Sequence, residues 1–340
     1  MRVAGDRVAA ATIRDVARMA GVSATTVSRA LRGMSNVAVE TRLRIDRAAA
    51  ELGYRPPRLT GTGRQVAVVA RYPTQWFFAE SIATVERTLR GSGHDLLLFG
   101  VGDADGRRNM LDRITENPGV AGVVVVATSF DEPEREALEA LGVPVVVVGG
   151  YVPGLPRVGI DDANAARIAT QHLLALGHRD IGVVSFAPED TVGHDTTSAR
   201  LRGFQQAMHA AGVPVQSRWV LSRESTIRGG MLCAEDLLTQ SQLPTGLVAM
   251  SDEMALGALW TLRRAGIVVP GAMSIVGVDD NHMAAGCDLT TIHQPVTEQA
   301  RGAAEHLLAI IDGGVREVVD VDLPVRLVVR GSTGPVVPRP

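Results

Sequence analysis

The sequence predicts an all-α N-terminal domain followed by an α/β part of two lobes, each built on a doubly wound parallel sheet. Residues 12–53 carry apolar side chains at helical spacing. From residue 66 onward, short β-branched runs alternate with amphipathic helical segments, which is typical of parallel sheets covered by helices on both faces. This second part has about 270 residues, which is long for one such sheet, so two lobes fit better.

Two short helices with a tight turn between them are predicted near the N-terminus. Thr12 and Asp15 stand at the spacing of a capping box, and Asp15 also favours the positive end of a helix. A glycine ends the first helix, and Ser23 is a residue type suited to cap the next one. The two helices are expected over residues 13–20 and 24–31.

A third helix and a linker complete the N-terminal part. Ile45, Ala48, Ala49 and Leu52 recur at helical spacing, and Gly53 marks the end of the helix. The stretch YRPPRLTGTGRQ that follows holds two prolines and two glycines, which interrupt any regular element. We therefore expect a linker between the N-terminal domain and the α/β part.

The α/β part contains alternating strand and helix candidates. The strands are predicted over residues 66–70, 96–99, 123–127, 145–148, 181–185, 247–250, 274–278 and 325–329. The helices are predicted near residues 77–91, 107–117, 132–141, 163–176, 197–211, 227–241, 252–265 and 297–312.

Composition narrows the class of protein. Hydrophobic residues make up 46% and charged residues 21% of the 340 residues, which is the balance of a soluble globular protein. No apolar run approaches the roughly 20 residues that span a membrane, and the N-terminus lacks the apolar core of a signal peptide. The two cysteines are far apart and give no disulfide framework. We expect a cytoplasmic protein.

The charge is distributed unevenly along the chain. Residues 1–58 hold 11 Arg and 5 acidic residues, a net charge of +6, whereas the remainder has a net charge of −9. A small basic module on an acidic body indicates a polyanionic partner for the module alone.

The first two helices and their turn have the pattern of a helix-turn-helix, whose second helix enters the major groove of DNA. A plain three-helix bundle would show the same apolar spacing, but the basic excess favours DNA binding. Arg29 suits a bidentate pair with guanine, and Thr25 offers a hydroxyl or a methyl contact. Other residues are expected at phosphates or groove edges. The residues expected at the DNA are Thr12, Arg14, Ser23, Ala24, Thr25, Thr26, Ser28, Arg29, Arg32 and Asn36, with Arg42 and Arg44 also at phosphates or groove edges.

The amino-acid sequence of these segments resembles that of a known family. TIRDVARMAGVSATTVSRAL, followed by ETRLRIDRAAAELGYRPP, is similar to the headpiece of LacI/GalR repressors. The resemblance continues, in the family's order, through IDDANAARIATQHLLALGHRDIGVVS, SARLRGFQQAM, SDEMALGALWTLRRAGIVVPGAMSIVGVDD, LTTIHQPV and LVVRGST, and covers residues 12–333. It implies a periplasmic-binding-protein-like core, an effector cleft between two lobes, and a homodimer on a near-palindromic operator.

This resemblance divides the chain into three parts. We expect a DNA-binding headpiece at 12–57, a shortened hinge linker at 58–64, and an effector-binding and dimerisation domain at 65–333. Within that domain, the N-lobe is expected at 65–159 and 296–323, and the C-lobe at 160–295 and 324–333.

Two departures from the family's pattern concern the headpiece and the linker. In the family the linker folds into a hinge helix whose leucine wedges into the minor groove. Here it is about five residues short and its glycines disfavour a helix, so Leu59 is either the wedge or packs on the headpiece. Ala38 stands where a serine usually caps the third helix, which removes about 1 kcal/mol of local stability.

The effector is expected at the carboxyl ends of the strands, between the lobes. By resemblance, Phe77, Arg202, Ser251 and Asp279 match effector positions of the family. A carboxylate, an arginine and an aromatic wall suit a neutral polyhydroxylated molecule such as a sugar, and a nucleoside or purine would also fit. Phe78 could instead be core, and Asp279 a loop cap. The residues expected in the cleft are Trp76, Phe77, Phe78, Arg202, Ser251, Asp279 and Gln294.

Two other classes of protein are compatible with parts of the sequence. An enzyme is disfavoured because no strand is followed by GxGxxG or GxxxxGK[ST], and there is no HExxH, GxSxG or metal-spaced His/Cys cluster. No cofactor or metal is therefore expected. A transporter's solute-binding protein would account for the body but has no use for a basic helix-turn-helix. We expect a transcriptional regulator, a repressor, with DNA, a small molecule and a second copy as partners and no membrane contact.

Overall fold

The structure, a computed structural model, describes residues 12–31, 37–52, 64–102, 104–186, 196–313 and 319–337. The N-terminal helices are α1 (Ile13–Ala20), α2 (Ala24–Leu31) and α3 (Val39–Glu51). Val16, Val27 and Ile45 are fully buried at their common core.

The predicted ends of the first helices are confirmed. The Thr12 hydroxyl oxygen accepts from the Asp15 amide at 3.3 Å, and the Asp15 carboxylate accepts from the Thr12 amide at 3.0 Å. Gly21 follows α1 in the left-handed conformation, at φ 67°. Ser23 Oγ accepts from the Thr26 amide at 3.0 Å, while Ala38 gives α3 no side-chain cap.

The first lobe is built on a wholly parallel sheet. Its strands are β1 (Gln65–Ala70), β2 (Asp95–Gly100), β3 (Val120–Val126), β4 (Val145–Val148), β5 (Arg157–Gly159) and β11 (Asp320–Asp322), in the order β11-β5-β4-β3-β1-β2. Its helices are α4 (Trp76–Gly91), α5 (Ala104–Glu116), α6 (Glu132–Ala140) and α12 (Val296–Ile311).

The second lobe repeats this architecture. Its strands are β6 (Ile181–Phe186), β7 (Val220–Arg223), β8 (Gly246–Ala249), β9 (Ser274–Asp279), β10 (Thr290–His293) and β12 (Arg326–Val328), in the order β12-β10-β9-β8-β6-β7. Its helices are α7 (Asp162–Ala175), α8 (Thr196–Ala210), α9 (Ile227–Leu238), α10 (Asp252–Arg264) and α11 (His282–Gly286).

The predicted fold class is confirmed, with differences at short elements. The last strand, β12, pairs antiparallel with β10 at the sheet edge, whereas the other pairs are parallel. Strands β5, β7, β10 and β11 and helix α11 were not predicted. Each has only three to five residues and includes polar side chains or glycine, so the elements carry no periodic apolar signal. No helix in the described ranges has the length and apolar character of a membrane span.

Within the described ranges the chain crosses between the lobes three times, after β5, before α12 and between β11 and β12. Arg157 on β5 ties two of these crossings together. Its Nε donates to Asp320 at 2.8 Å, its guanidinium also contacts Asp322, and its Nη1 lies 3.5 Å from the Ile160 carbonyl oxygen. The crossing after β5 and the crossing between β11 and β12 are therefore joined through the hydrogen bonds of one buried arginine.

Helix α8 lies very close to α7 at Gly203, where a Cβ would lie 1.9 Å from the Ala163 carbonyl oxygen. This approach brings Arg200 to within 2.8 Å of Asp162. We expect Gly203→Ala to push the helices apart and to lower the free energy of unfolding by about 1–3 kcal/mol, measured by urea denaturation. Gly91→Ala, at a site with nothing within 4 Å, is the control, and equal losses in both variants would contradict this account.

Candidate functional site

The predicted DNA-reading surface is carried by α2 and the residues that flank it. Thr12, Arg14 and Ser23 are exposed, and Ala24, Thr25 and Thr26 are half-buried on α2. The backbones of Ser28 and Arg29 lie on α2, but their side chains are outside what the structure describes. Arg32, Asn36 and Leu59 lie outside the described residues. Arg42 and Arg44 lie on α3, half-buried and exposed respectively.

A cavity lies between the two lobes, and its first-lobe wall is aromatic. Tyr72, Phe77 and Phe78 line it, and Phe78 contacts each of the other two rings edge-on, with centroids 5.9 and 5.7 Å away. Gly149, at φ 60°, leaves room for Phe77, whose Cζ would lie 2.8 Å from a Cβ at that position. Phe78 is also 91% buried in the first-lobe core, so it serves both core and cavity.

Trp76 does not line the cavity in this structure. It is half-buried in the first turn of α4, and the two residues after it face the cavity instead. The run of three consecutive aromatic residues predicts a single wall, which the geometry of a helix does not allow. Successive side chains on a helix point about 100° apart, so three in a row cannot share a narrow face.

The α8 arginine in the described cavity wall is Arg200 and not Arg202, whose part in effector binding remains a prediction from the sequence. Arg202 is exposed and lies outside the cavity wall, whereas Arg200 is 95% buried. The two residues are separated by two helical positions, which places them on different faces of α8. Arg200 Nε donates to Asp162 at 2.8 Å, and its Nη1 donates to the Met250 carbonyl oxygen and lies 3.9 Å from the Asp279 carboxylate.

Asp279 ends β9 at the centre of a polar network. Its Oδ1 accepts from Gln294 Nε2 at 2.6 Å. The side-chain oxygen of Gln294, Oε1, in turn accepts from Gln299 Nε2 at 3.1 Å. Ser251 also lines the cavity while capping α10, with its Oγ accepting from the Met254 amide at 3.3 Å. The structure thus brings Phe77, Phe78, Ser251, Asp279 and Gln294 together around one cavity.

Carboxylates outnumber cations in the described part of this cavity wall. Asp162, Glu253 and Asp279 line it with Arg71 and Arg200. Burial raises the pKa of Asp162 and of Asp279, against the opposing charge of Arg200. Burial and the Asp279 carboxylate raise the pKa of Glu253 to about 7, although the backbone amide of Trp76, on the other lobe, opposes this shift.

Below the cavity wall, Asp252 is fully buried. Its carboxylate accepts from the Thr291 hydroxyl at 2.6 Å and from the Asn281 amide at 2.9 Å. Burial, followed by the charge of Asp279, raises the pKa of Asp252. The negative charges of Asp252 and of the three carboxylates in the described part of the cavity wall are therefore only partly compensated by nearby arginines. Hydrogen-bond donors from a ligand would stabilise the ionised form of these carboxylates.

The raised pKa of Glu253 predicts how stability depends on pH. A carboxyl group whose pKa is higher in the folded than in the unfolded protein keeps its proton on folding, so its contribution is lost as pH rises through the folded pKa. We expect the melting temperature of the ligand-free protein to fall between about pH 5 and pH 8. Glu253→Gln should flatten this fall, whereas Glu235→Gln, on the exposed face of α9, should not. An unchanged slope in Glu253→Gln would contradict the assignment.

Several residues of the site were not found from the sequence. Asp162 begins α7, and Glu253 follows the cap of α10, so both resemble ordinary helix-start residues. Tyr72 precedes the predicted aromatic run, and Gln299 lies within a regular helix. The available signal was position, because Tyr72, Asp162 and Glu253 each follow the carboxyl end of a strand within four residues.

Comparisons with known proteins agree with this architecture. The family model described as "Bacterial regulatory proteins, lacI family" matches residues 12–57, and the model described as "Periplasmic binding protein-like domain" matches residues 170–333. The HTH-type transcriptional repressor PurR of Haemophilus influenzae (strain PittEE) is 32% identical over 335 residues, covering 95% of this chain and 98% of that protein.

Solved structures are similar over both parts of the chain. The transcriptional regulator CelR in complex with cellobiose is 31% identical with a TM-score of 0.71, covering 95% of this chain and 99% of that one. A LacI family transcriptional regulator from Enterococcus faecium with bound ribose is 28% identical with a TM-score of 0.70, covering 80% of this chain and 99% of that one.

Proposed function

This chain belongs to the lacI family of bacterial regulatory proteins, and we propose that it is a repressor whose affinity for its operator is set by a sugar or related polyol bound between the lobes. The family places it among DNA-binding transcriptional repressors with an effector-binding domain. We propose four further properties: the class of the effector, the near-palindromic form of the operator, the homodimer, and the location of the protein in the cytoplasm.

The observation that carries the effector class is the pairing of Asp279 and Arg200 opposite an aromatic wall. A carboxylate accepts from two neighbouring hydroxyl groups, and a guanidinium donates to hydroxyl or ring oxygens. The aromatic side chains of Phe77 and Tyr72 in the cavity wall offer apolar contact for the C–H face of a sugar. The two similar structures that hold cellobiose and ribose support the same class.

The charge of the cavity disfavours anionic effectors. Arg200 is already paired with Asp162 and lies close to Asp279, and Glu253 adds a further acidic group. A phosphate or carboxylate ligand would therefore meet carboxylates that are not fully compensated. A nucleoside is the second candidate, because its base would stack on the aromatic wall and its ribose would present vicinal hydroxyls.

The DNA-bound state is proposed as a homodimer on a near-palindromic operator. Two copies would place their α2 helices in successive major grooves about one helical turn apart. Arginine contacts to phosphates would make the affinity fall steeply with salt. Effector binding would change lobe closure and, through it, the spacing of the headpieces.

The test is a gel shift with the DNA upstream of the protein's own gene, at low and moderate salt, with excess unrelated competitor DNA. We expect a discrete complex that resists the competitor. Cellobiose, ribose, adenosine, uridine, glucose 6-phosphate and galacturonate are then added separately. The proposal predicts that a neutral sugar alters the complex and that the two anionic sugars do not. A response to adenosine or uridine alone would favour the second candidate, and a response to the anionic sugars alone would contradict both.

A further inference from the structure

Gln299, near the start of α12, is a buried residue with an unusual hydrogen-bond balance. It is 0% exposed, and its side-chain carbonyl oxygen, Oε1, has no hydrogen-bond partner among the described residues. The same side chain forms part of the cavity wall. Buried polar atoms in proteins nearly always have a partner, so an orphaned acceptor beside a ligand cavity calls for an explanation.

The orientation of the Gln299 amide follows from its neighbours. The ionised carboxylate of Asp279 can only accept, so Gln294 turns its amide nitrogen toward it, at 2.6 Å. The Gln294 carbonyl oxygen then faces Gln299 and accepts from its amide nitrogen at 3.1 Å. The remaining polar atom of Gln299 is its carbonyl oxygen. Reversing either amide would bring two acceptors together at one of these contacts.

Gln299 also occupies a junction between the lobes. Asp279 belongs to the second lobe, whereas Gln299 lies on α12, which packs on α4 and on strands β3 and β4 of the first lobe. Gln294 lies on the crossing segment between them. A ligand that touches Gln299 would therefore be linked to the carboxylate of one lobe and to a long helix of the other.

We propose that Gln299 is an effector-binding residue, whose carbonyl oxygen accepts a hydrogen bond from a hydroxyl or N–H group of the effector. The proposal rests on the proposed function and adds to it a required donor at this point of the ligand. A molecule that presents an ether or carbonyl oxygen there is rejected, because two acceptors would face each other without a proton.

The first test needs no identified effector. Operator binding by wild type and by Gln299→Met is measured with and without the small-molecule fraction of an extract from cells that produce the protein. The melting temperature of each protein is measured first to show that the variant folds, and the effect of the extract is expressed relative to each protein's own operator binding without extract. The extract should alter operator binding by wild type and have an effect about tenfold weaker on Gln299→Met. Gln171→Met, on the exposed face of α7, is the matched control and should respond as wild type does.

The failures of the two proposals are distinguishable. An extract that alters wild type and Gln299→Met at the same concentrations overturns the role of Gln299 and leaves the proposed function standing. An extract that alters neither protein overturns the effector-controlled function and the role of Gln299 together.

A second test separates contact from mere positioning of Gln294. For whichever of cellobiose, ribose, adenosine and uridine binds, deoxy analogues are measured by calorimetry on wild type and on Gln299→Met. One analogue should bind wild type about tenfold more weakly than its parent. On Gln299→Met the same analogue and its parent should bind with equal affinity, because the hydroxyl that the analogue lacks no longer has its partner. If every analogue loses the same factor on both proteins, Gln299 does not touch the ligand.

Discussion

Arg29→Ala is expected to weaken operator binding by roughly 5- to 150-fold, the loss that accompanies removal of one bidentate arginine–guanine pair. Arg29 lies on α2, the second helix of the helix-turn-helix, and its role as a base-reading residue is a prediction from the sequence. The measurement is the Kd for operator and for unrelated DNA at one salt concentration. The ratio of the two constants should fall, because phosphate contacts elsewhere on the headpiece are retained.

The control for this prediction is Arg90→Ala. Arg90 is exposed near the end of α4 and pairs loosely with Glu86 at 3.5 Å, so its loss removes one positive charge without touching the headpiece. The control should leave operator affinity within about twofold of wild type. If Arg29→Ala retains the specificity ratio of wild type, the assignment of base reading to this residue is wrong.

Arg200→Met is expected to lower the free energy of unfolding by about 3–5 kcal/mol and to abolish the effector response. Arg200 is 95% buried, and its guanidinium faces the carboxylates of Asp162 and Asp279. Its removal leaves those carboxylates buried without compensation, and their pKa values should rise further. The measurement is urea denaturation of the variant, followed by effector titration under conditions in which it remains folded.

Arg202→Met is the matched control on the same helix. Arg202 is exposed, so we expect a change in stability within about 0.5 kcal/mol and an unchanged effector response. The opposite result, with Arg202→Met impaired and Arg200→Met normal, would favour the assignment made from the sequence. At high pH the loss in Arg200→Met should be largest, because the uncompensated carboxylates are then ionised.

Much of the fold was predictable because short-range sequence patterns specify its helices and strands. The apolar spacing of Val16, Val27 and Ile45, the capping box at Thr12 and the valine-rich strands are all short-range patterns. They yielded the three headpiece helices, most of the longer strands and the alternation that defines two parallel sheets. Short elements such as β5 and β11 were missed because they are stabilised by pairing between distant segments.

The site was less predictable because it depends on contacts between distant parts of the chain. Arg200 and Arg202 are both arginines with one residue between them, and only the packing of α8 against α7 decides which of the two is buried. Asp162 has the appearance of a helix-start acid until Arg200 is placed beside it. Gln299 carries no signal until Asp279 and Gln294 fix the direction of its amide.

The central claim is that occupancy of the cavity controls affinity for DNA. The direct measurement is fluorescence anisotropy of a labelled operator titrated with the full chain, with and without a saturating effector whose binding is established by calorimetry. A coupling of 1–3 kcal/mol predicts that the operator Kd changes by about 5- to 150-fold. An identical operator Kd with the cavity occupied and empty would contradict the account.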